Sequence, residues 1–338
     1  MGITTDSLAK DIFVAPNGSS SGSDSSSSPL ADIQAAVSAA SAGDTIYLRK
    51  GTYRPSKKIQ FNKKGSSSKP YTIRSYNNEE VIIDGDKMPG TPAASAPASL
   101  AKIARLTTHS NYETGFHMQN SISNNEIIYL DTYNNADPRN NGQNADGMAI
   151  KEGSDAGNII RGIRSYESAD DGIDLYDFKS SITILGNIIF DNGVNRWNFN
   201  PYRGDGIGIK LGGGSPANRV NVNHVARNNV SFRNRRGFSD NNMLGDMTLI
   251  HNTTWKNREE GFNQRSSKAT YENNLAAIMP APGKGNNWEK GGSWQDADFK
   301  ATSTSLIKGR RQANGKITRS DFLRPANGGN YGATTHWV

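Results

Sequence analysis

The stretch Asn229-Val-Ser-Phe-Arg-Asn-Arg-Arg-Gly-Phe238 contains a pattern that recurs between residues 109 and 262. An aromatic residue is followed two positions later by asparagine, and a glycine with an apolar neighbour comes soon after. The paired positions are His109/Asn111, Tyr133/Asn135, Tyr166/Ser168, Phe190/Asn192, Phe232/Asn234 and Trp255/Asn257, of which Tyr166/Ser168 is the imperfect member. The glycines are Gly115, Gly147, Gly172, Gly208, Gly237 and Gly261, which lie 32, 25, 36, 29 and 24 residues apart.

Short β-rich runs lie between these repeats, for example Ile127-Ile-Tyr129, Ile182-Thr-Ile184 and Met247-Thr-Leu-Ile250. Units of about 24 residues with short strands and inserted loops are typical of a parallel β-helix. In that fold each coil stacks on the one before it, and insertions collect on one face. A leucine-rich repeat is the rival solenoid, but the leucine ladder that it requires is missing. We therefore predict an all-β parallel β-helix.

A second column of asparagines supports stacking. Asn187, Asn229 and Asn252 each stand three residues before an aromatic position, and Asn274 is the next candidate. Stacked amides can hydrogen-bond from coil to coil, so we predict an internal asparagine ladder. Asn229-Val-Ser and Asn252-Thr-Thr also match the glycosylation sequon, but so short a motif is frequent by chance, and we favour the ladder.

The ends of the chain differ from these central repeats. Residues 11–14 and 45–48 are predicted strands, and apolar residues at helical spacing predict an amphipathic helix over Leu30 to Ala42 that caps the open end of the β-helix. A second helix-like run is Ser99 to Arg105. We divide the chain into a disordered or vector-derived segment 1–10, one domain over 11–325 and a tail over 326–338. Within the domain, 11–54 is the N-terminal cap and 103–278 holds the clearest coils.

Composition limits the class of protein. The 338 residues include 35 glycines and no cysteine, so disulfides, zinc–thiolate sites and cysteine nucleophiles are excluded. No apolar run is long enough for a spanning helix, and no secretion signal is visible, so such a signal is either absent or removed. The net charge of +7 favours an anionic partner. The basic residues are scattered, which weakens the case for nucleic acid.

An acidic cluster interrupts this basic chain. Alignment of the repeat glycines places the residue before each glycine in one column, where Asp146 and Asp171 become neighbours about 4.8 Å apart. The residue two after each glycine gives a second column, which runs His117, Ala149, Asp174, Lys210, Ser239 and Asn263. With Asp170, four carboxylates and one amine therefore converge on one patch.

Hard carboxylate oxygens in this number suit Ca²⁺, and like charges so close together require a cation. A bound cation and partial desolvation are expected to lower the pKa of Lys210 toward neutrality, so that its amine can act as a base. A free amine beside a metal-bound carboxylate suits removal of the proton on the carbon next to that carboxylate, which in a uronic acid is C5. The simpler alternative makes Lys210 a salt-bridge partner of Asp174, and column geometry alone does not choose between them.

Four motifs carry a family resemblance. Asn144-Ala-Asp-Gly-Met-Ala-Ile-Lys151, Ser168-Ala-Asp-Asp-Gly-Ile-Asp-Leu-Tyr176, Asn192-Gly-Val-Asn-Arg-Trp197 and Gly206-Ile-Gly-Ile-Lys-Leu-Gly-Gly213 resemble motifs of the pectate lyases of polysaccharide lyase family 9. Their order along the chain makes the match specific. The resemblance implies a right-handed parallel β-helix and Ca²⁺-dependent β-elimination of polygalacturonate. It places the calcium aspartates at Asp146, Asp170, Asp171 and Asp174, and the base at Lys210.

From this resemblance we expect a secreted monomer that acts on an acidic polysaccharide, with no nucleic-acid or membrane partner. One alternative keeps the chemistry and changes the polymer, for example to rhamnogalacturonan. Another is a non-catalytic β-helix that binds polysaccharide through Ca²⁺.

Arginines near the predicted site are candidates for substrate carboxylates, since a guanidinium matches a carboxylate bidentately. We name Arg196, Arg203, Arg235 and Arg236 as substrate-binding, although a solvated or ion-paired role is the common one for arginine. His224 and His251 lie in predicted repeat strands, and the histidines show no metal-ligand spacing, so we predict structural roles for both.

Overall fold

The computed structural model describes residues 8–61, 63–66, 68–86, 101–214, 220–283 and 294–333. Across these residues the chain coils into a stack of short parallel strands that form three sheets. None of the helices in the described ranges is long and apolar enough to cross a membrane.

The first sheet has ten strands, each paired in parallel with the strand of the next coil. They are β1 (Asp11–Ser19), β2 (Thr45–Leu48), β4 (Tyr71–Ser75), β6 (Ala101–Ala104), β9 (Glu126–Ile128), β12 (Asn158–Arg161), β15 (Ile182–Leu185), β18 (Val225–Arg227), β21 (Asp246–Ile250) and β24 (Lys268–Glu272). Alternate residues of these strands point to the core. Ile127, Ile160, Ile184, Ala226 and Leu249 are register partners in turn, and all are buried.

The second sheet has nine strands, and it carries the aromatic column. They are β3 (Gly51–Tyr53), β5 (Val81–Asp84), β7 (Thr107–His109), β10 (Asp131–Tyr133), β13 (Arg164–Tyr166), β16 (Ile188–Phe190), β19 (Val230–Phe232), β22 (Thr253–Trp255) and β25 (Leu275–Ala277). The predicted aromatic positions stack from His109 to Phe232, with ring centroids 4.8 to 4.9 Å apart. Strand spacing sets this distance.

The third sheet has seven strands, and it positions the acidic cluster. They are β8 (Phe116–Ser121), β11 (Met148–Ser154), β14 (Ile173–Asp174), β17 (Ile207–Lys210), β20 (Arg236–Ser239), β23 (Glu260–Asn263) and β26 (Ala281–Gly283).

The repeat glycines lie directly before these third-sheet strands or are their second residue, and the space around them explains why they recur. A Cβ at Gly147 would lie 1.9 Å from the Ser165 hydroxyl, and one at Gly208 would lie 2.0 Å from that of Ser231. The Ser165 hydroxyl itself donates to the backbone carbonyl of Gly172 across the coil. The second sheet therefore packs directly against these backbones, which only glycine permits.

The predicted asparagine ladder is confirmed. Each amide of Asn187, Asn229 and Asn252 donates through Nδ2 to Oδ1 of the next member, at 2.9, 2.9 and 3.0 Å, and the ladder ends at Asn274. All four residues are fully buried, as an internal ladder requires. The sequon interpretation of Asn229 and Asn252 is thereby removed, since a glycosylated side chain must be exposed.

The predicted helix is shorter than expected. It spans α1 (Ile33–Ala39), because Asp32 caps its first turn and Leu30 instead forms β-bridges with Val14 and Ser19. Ile33, Ala36 and Val37 enter the same core as the strands, and the capping role of the helix stays a prediction.

The predicted helix at Ser99 to Arg105 is wrong. Ser99 and Leu100 lie outside the described residues, but Ala101–Ala104 forms β6, which pairs with β4 and β9. Stacking between two existing strands outweighs the local helix propensity of this short run. The first and second sheets are consequently continuous through this region.

The C-terminal segment folds back over the second sheet. It includes a 3₁₀ turn (Asp296–Asp298) and α2 (Ser305–Lys308). Phe322 contacts the rings of Phe232 and Trp255 at centroid distances of 5.2 and 5.8 Å. In the described part of the predicted tail, 326–333, most residues up to 330 are exposed, but Ala333 is buried and its N–H donates to the Thr253 hydroxyl.

Candidate active site

The predicted columns are found in the third sheet. Asp174 is the register partner of Ala149 on one side and of Lys210 on the other, and Lys210 pairs in turn with Ser239. The alignment of glycines therefore gave the correct register. Asp146 and Asp171 lie at the turns that lead into β11 and β14.

Backbone N–H groups hold the four carboxylates in place, those of neighbouring coils for Asp146, Asp170 and Asp171, and that of Tyr176 in the same coil for Asp174, at 2.9 Å. The N–H of Asp171 donates to Asp146 Oδ1 at 3.2 Å, and that of Ile207 donates to Asp171 Oδ1 at 2.6 Å. Asp170 accepts from Asn144 N–H at 2.7 Å and from Asp205 N–H at 2.6 Å. Each carboxylate is thus oriented by the strand stack, and solvent does not set its position.

All four aspartates are buried, with 4% or less of their surface exposed. Burial raises the pKa of Asp146, and it raises that of Asp171 well above its ordinary value. Burial, assisted by the charge of Asp146, raises the pKa of Asp170 to about 7. The pKa of Asp174 is lowered, because Lys151 and Lys210 outweigh its burial. For three of the four carboxyl groups, therefore, the nearby positive charge does not offset the cost of burying the ionised form.

Lys210 lies at the centre of this cluster. Its Nζ lies 3.0 Å from Asp171 Oδ2, 3.8 Å from Asp174 Oδ2 and 3.1 Å from Asp205 Oδ2. Burial alone would lower its pKa, but Asp171, Asp174 and Asp205 outweigh burial and raise it well above the usual value. The lowered pKa expected from the sequence is therefore not found in the protein without metal, since that expectation counted a bound cation.

Two charged residues of the site were missed from the sequence. Lys151 Nζ bridges Asp146 and Asp174 at 2.7 and 2.6 Å. It lies two residues after Ala149 on the same strand, so strand alternation could have placed it on the face of Asp174. Asp205 lies in the loop before β17, where no repeat signal could reveal it.

The residues fit a divalent cation. Asp146, Asp171 and Asp174 bring one carboxylate oxygen each to within 4.8 Å of one another, and Asp170, Asp171 and Asp205 form a second such set. Asp171 belongs to both sets. Its Oδ2 is buried and makes no hydrogen bond within the described part of the chain, and only the Lys210 ammonium opposes it. Several carboxylate oxygens gathered in this way suit Ca²⁺, which is bound by hard oxygen ligands.

A cavity of about 310 Å³ opens over this cluster. Its lining includes Lys151, Asp170, Asp174, Tyr176, Asp205 and Lys210. The Lys210 Nζ lies 5.8 Å from the centre of the Tyr176 ring. A ligand in this cavity would therefore meet the amine and the carboxylates together.

The four predicted arginines occupy different environments. Arg235 and Arg236 both pair with Glu259, at 2.6 and 3.1 Å, and Arg236 also approaches Glu260. Arg196 donates to the carbonyl of Asp191 at 2.9 Å. Arg203 is exposed and lines a second cavity next to the first. Two of the four therefore have carboxylate partners within the protein, and their predicted role in substrate binding stays a prediction.

Comparison with known proteins places the chain in a family. A family profile described as "Pel9A-like, right handed beta helix region" matches residues 12–97 and 93–286. Pectate lyase PEL9 of Emericella nidulans is 41% identical, over 98% of this chain and 96% of that protein. Pectate lyase L of Dickeya dadantii is 31% identical, over 94% of this chain and 84% of that protein.

Solved structures agree. The crystal structure of pectate lyase Pel9A matches with a TM-score of 0.79 and 30% identity, over 96% of this chain and 90% of that one. A rhamnogalacturonan lyase matches with a TM-score of 0.72 at 21% identity, which speaks for the fold alone. The profile also makes the β-helix right-handed, as the motif resemblance implied. The chain therefore belongs to the Pel9A-like β-helix family, the pectate lyases of polysaccharide lyase family 9.

Proposed function

We propose that this protein is a Ca²⁺-dependent pectate lyase that cleaves α-1,4-linked galacturonan by β-elimination, with Lys210 as the base. The observation that carries the proposal is the Lys210 amine, which contacts the buried carboxylates of Asp171 and Asp174 and lines an open cavity together with Asp170 and Asp174. The named pectate lyases among the relatives support the choice of polymer. Action on a plant polymer also supports secretion, which is part of the proposal.

Asp146, Asp170, Asp171 and Asp174 would hold the ion. When bound, Ca²⁺ would offset the carboxylate charge and polarise the carboxylate of the substrate. Lys151 acts beside them, since it already holds Asp146 and Asp174 together through its ammonium. Asp205 contacts Lys210 from the loop side and helps to fix the position of the amine.

Lys210 takes the proton from C5 of the uronate. The electron pair of that C–H bond forms the C4–C5 double bond, the bond between C4 and the glycosidic oxygen breaks, and the leaving oxygen gains a proton from water. Only the neutral amine can accept the C5 proton. The aspartates that surround Lys210 hold it as an ammonium in the protein without metal, so charge compensation at the aspartates is a condition for the reaction.

Replacement of the base tests this proposal. Lys210→Ala should lower the rate of unsaturated product formation from polygalacturonate by roughly 10²- to 10⁴-fold, the usual contribution of a general base. Lys210→Arg should be as inactive, because it keeps the charge but cannot release a proton at ordinary pH. The measurement is the absorbance of the conjugated uronate, with Ca²⁺ and then with chelator.

Lys268→Ala is the matched control, since this lysine is exposed on the first sheet, away from the cluster. It should leave the rate unchanged. A Lys210→Ala protein that binds Ca²⁺ and still forms unsaturated product at the parent rate would refute the assignment. Product analysis on defined oligomers would separate this polymer from rhamnogalacturonan.

A further inference from the structure

A second cavity, of about 450 Å³, adjoins the one that holds Lys210. It is lined by Tyr202, Arg203, Asp205, Arg235, Arg258 and Glu259, together with glycine backbone. Asp205 lines both cavities, so the two form adjacent parts of one groove. A polymer that places one sugar over Lys210 would therefore place a nearby sugar here.

Arg258 is held in this cavity by backbone carbonyls. Its guanidinium donates to the carbonyls of Gly193 at 2.6 Å, of Asn192 at 3.3 Å and of Arg233 at 3.3 Å. These three contacts come from two neighbouring coils, and they restrain a side chain that would otherwise lose much rotamer entropy when it binds a ligand. The guanidinium is thus preorganised at the wall of the cavity.

Arg258 has no carboxylate partner among the described residues, whereas the neighbouring Arg235 has one. Arg235 is neutralised by Glu259 at 2.6 Å. By contrast, no carboxylate of the described residues lies within ion-pair distance of Arg258 or Arg203. Carbonyls orient a guanidinium but leave its full positive charge, so an anion in the cavity would gain a charge-assisted bond without breaking an existing ion pair.

Electrostatics favour the same conclusion. Arg258 as a whole is exposed, but partial desolvation of its guanidinium lowers its pKa, and the positive charges of Arg196 and Arg235 lower it further, while Tyr202 and Glu259 act against them. Positive charge from Arg196 and Arg235 therefore acts on the Arg258 guanidinium, and only part of it is offset by Glu259. An incoming carboxylate would relieve that repulsion.

We propose that this cavity is a subsite for the carboxylate of a second uronate residue of the polymer, with Arg258 as its main anchor. The proposal rests on the proposed function for the identity of the polymer. It makes Arg258 a specificity residue, because a methyl-esterified residue carries no charge and cannot form the charge-assisted pair that a free carboxylate forms.

The test separates binding from turnover. Short galacturonate oligomers are titrated calorimetrically, with Ca²⁺, into the Lys210→Ala protein and into the same protein with Arg258→Gln. Loss of one charge-assisted contact should weaken binding of the de-esterified oligomer about tenfold or more. Binding of the methyl-esterified oligomer should change by less than about twofold. Arg227→Gln, an exposed arginine on β18 of the first sheet, is the matched control and should leave both unchanged.

Arg258→Lys adds a variant that keeps the charge but loses the planar donor geometry, and it should fall between the parent and Arg258→Gln. Equal affinity of the parent and Arg258→Gln proteins for the de-esterified oligomer, at equal thermal stability, would overturn the subsite. An equal loss for both oligomers would overturn it as well, since that result indicates general disruption. Failure of the lyase proposal would instead appear as unsaturated product formed by the Lys210→Ala protein. The binding assay does not measure product, so the two failures can be told apart.

Discussion

Two columns of polar residues lie in successive coils of the same β-helix, the acidic one first and the asparagine ladder after it, and they reach opposite electrostatic states. In the asparagine ladder, the amides of Asn229 and Asn252 each donate to the next coil and accept from the one before. In the acidic cluster, Asp146 and Asp171 stack by the same register but offer only acceptors. An amide column satisfies itself because each member carries both donor and acceptor, whereas a carboxylate column needs cations from outside.

The asparagine ladder therefore serves the stability of the fold, whereas the acidic cluster is suited to function. The ladder is buried, neutral and paired at each step, so it contributes to holding the coils together. The acidic cluster is equally buried, but burial and mutual repulsion raise the pKa of three of its four members. Such an arrangement costs stability in the protein without metal, and sites of this kind persist where binding or catalysis needs them.

The largest effect is expected when a carboxylate, as found in the acidic cluster, replaces an amide of the asparagine ladder. Asn252→Asp should destabilise the protein by about 3–5 kcal/mol, because a buried charge replaces an amide and the carbonyl of Ala226 and Oδ1 of Asn274 lose their donor. Urea unfolding measures this change. Asn314→Asp is the control, since this exposed residue only accepts a bond from Lys316 N–H, and it should shift stability by less than about 0.5 kcal/mol. Equal stability of the two variants would contradict the paired ladder.

The register of both columns could be predicted from the repeat, that of the asparagines from their spacing to the aromatic positions and that of the carboxylates from the glycines. The glycine position leaves no room for a Cβ, so aligning the glycines aligns the carboxylates as well. The same rule and strand alternation could have found Lys151. They could not find Asp205 or Arg258, since these lie in connections whose length varies from coil to coil.

Two features that the sequence did not reveal, the strand at 101–104 and the fold-back of the C-terminal segment, have a similar cause. Residues 101–104 have the composition of a helix, and only the strands on either side of them make them a strand. The fold-back of the C-terminal segment depends on Phe322 meeting rings far away in sequence. Neither the local propensity nor the repeat carries this information.

A smaller effect is expected at His224, which lies in a buried column that contains asparagines in other coils. His224 is the register neighbour of Ile182 in the column of Asn125 and Asn158, and its Nδ1 accepts the Ile182 N–H at 3.2 Å. Burial lowers the pKa of His224 to about 3. In the unfolded chain His224 gains a proton below the ordinary histidine pKa of about 6.5, whereas in the folded protein it stays neutral. Stability should therefore fall as the pH drops below about 6.5.

Titration of His224 should lower the free energy of unfolding by roughly 2 kcal/mol between about pH 8 and about pH 5. His224→Asn should remove this loss, because an amide can accept the same N–H, as Asn158 does from Asn125, and does not titrate. Unfolding free energies of parent and variant at the two pH values give the difference. A variant as acid-sensitive as the parent would assign the loss to other groups.

The smallest effect concerns the acidic column itself. Because the pKa of Asp170 is raised to about 7, this carboxyl holds a proton at lower pH in the protein without metal. Ca²⁺ needs the ionised form, so its affinity should fall by about tenfold per pH unit as Asp170 gains a proton below about pH 7. Calorimetry in two buffers of different ionisation enthalpy should show proton release on binding near neutral pH.

The His224→Asn protein is the control for this titration, since it removes a titrating group from the structural column and should leave the Ca²⁺ profile unchanged. Affinity that does not vary with pH would mean that the aspartates are already ionised without metal, held so by Lys151 and Lys210. In that case the two lysines would satisfy the acidic column as fully as the amides satisfy theirs, and the contrast between the two columns would disappear. A pH-dependent affinity would instead show that the two internal ammonium groups do not balance the carboxylates, so that the acidic column is completed only by an added cation.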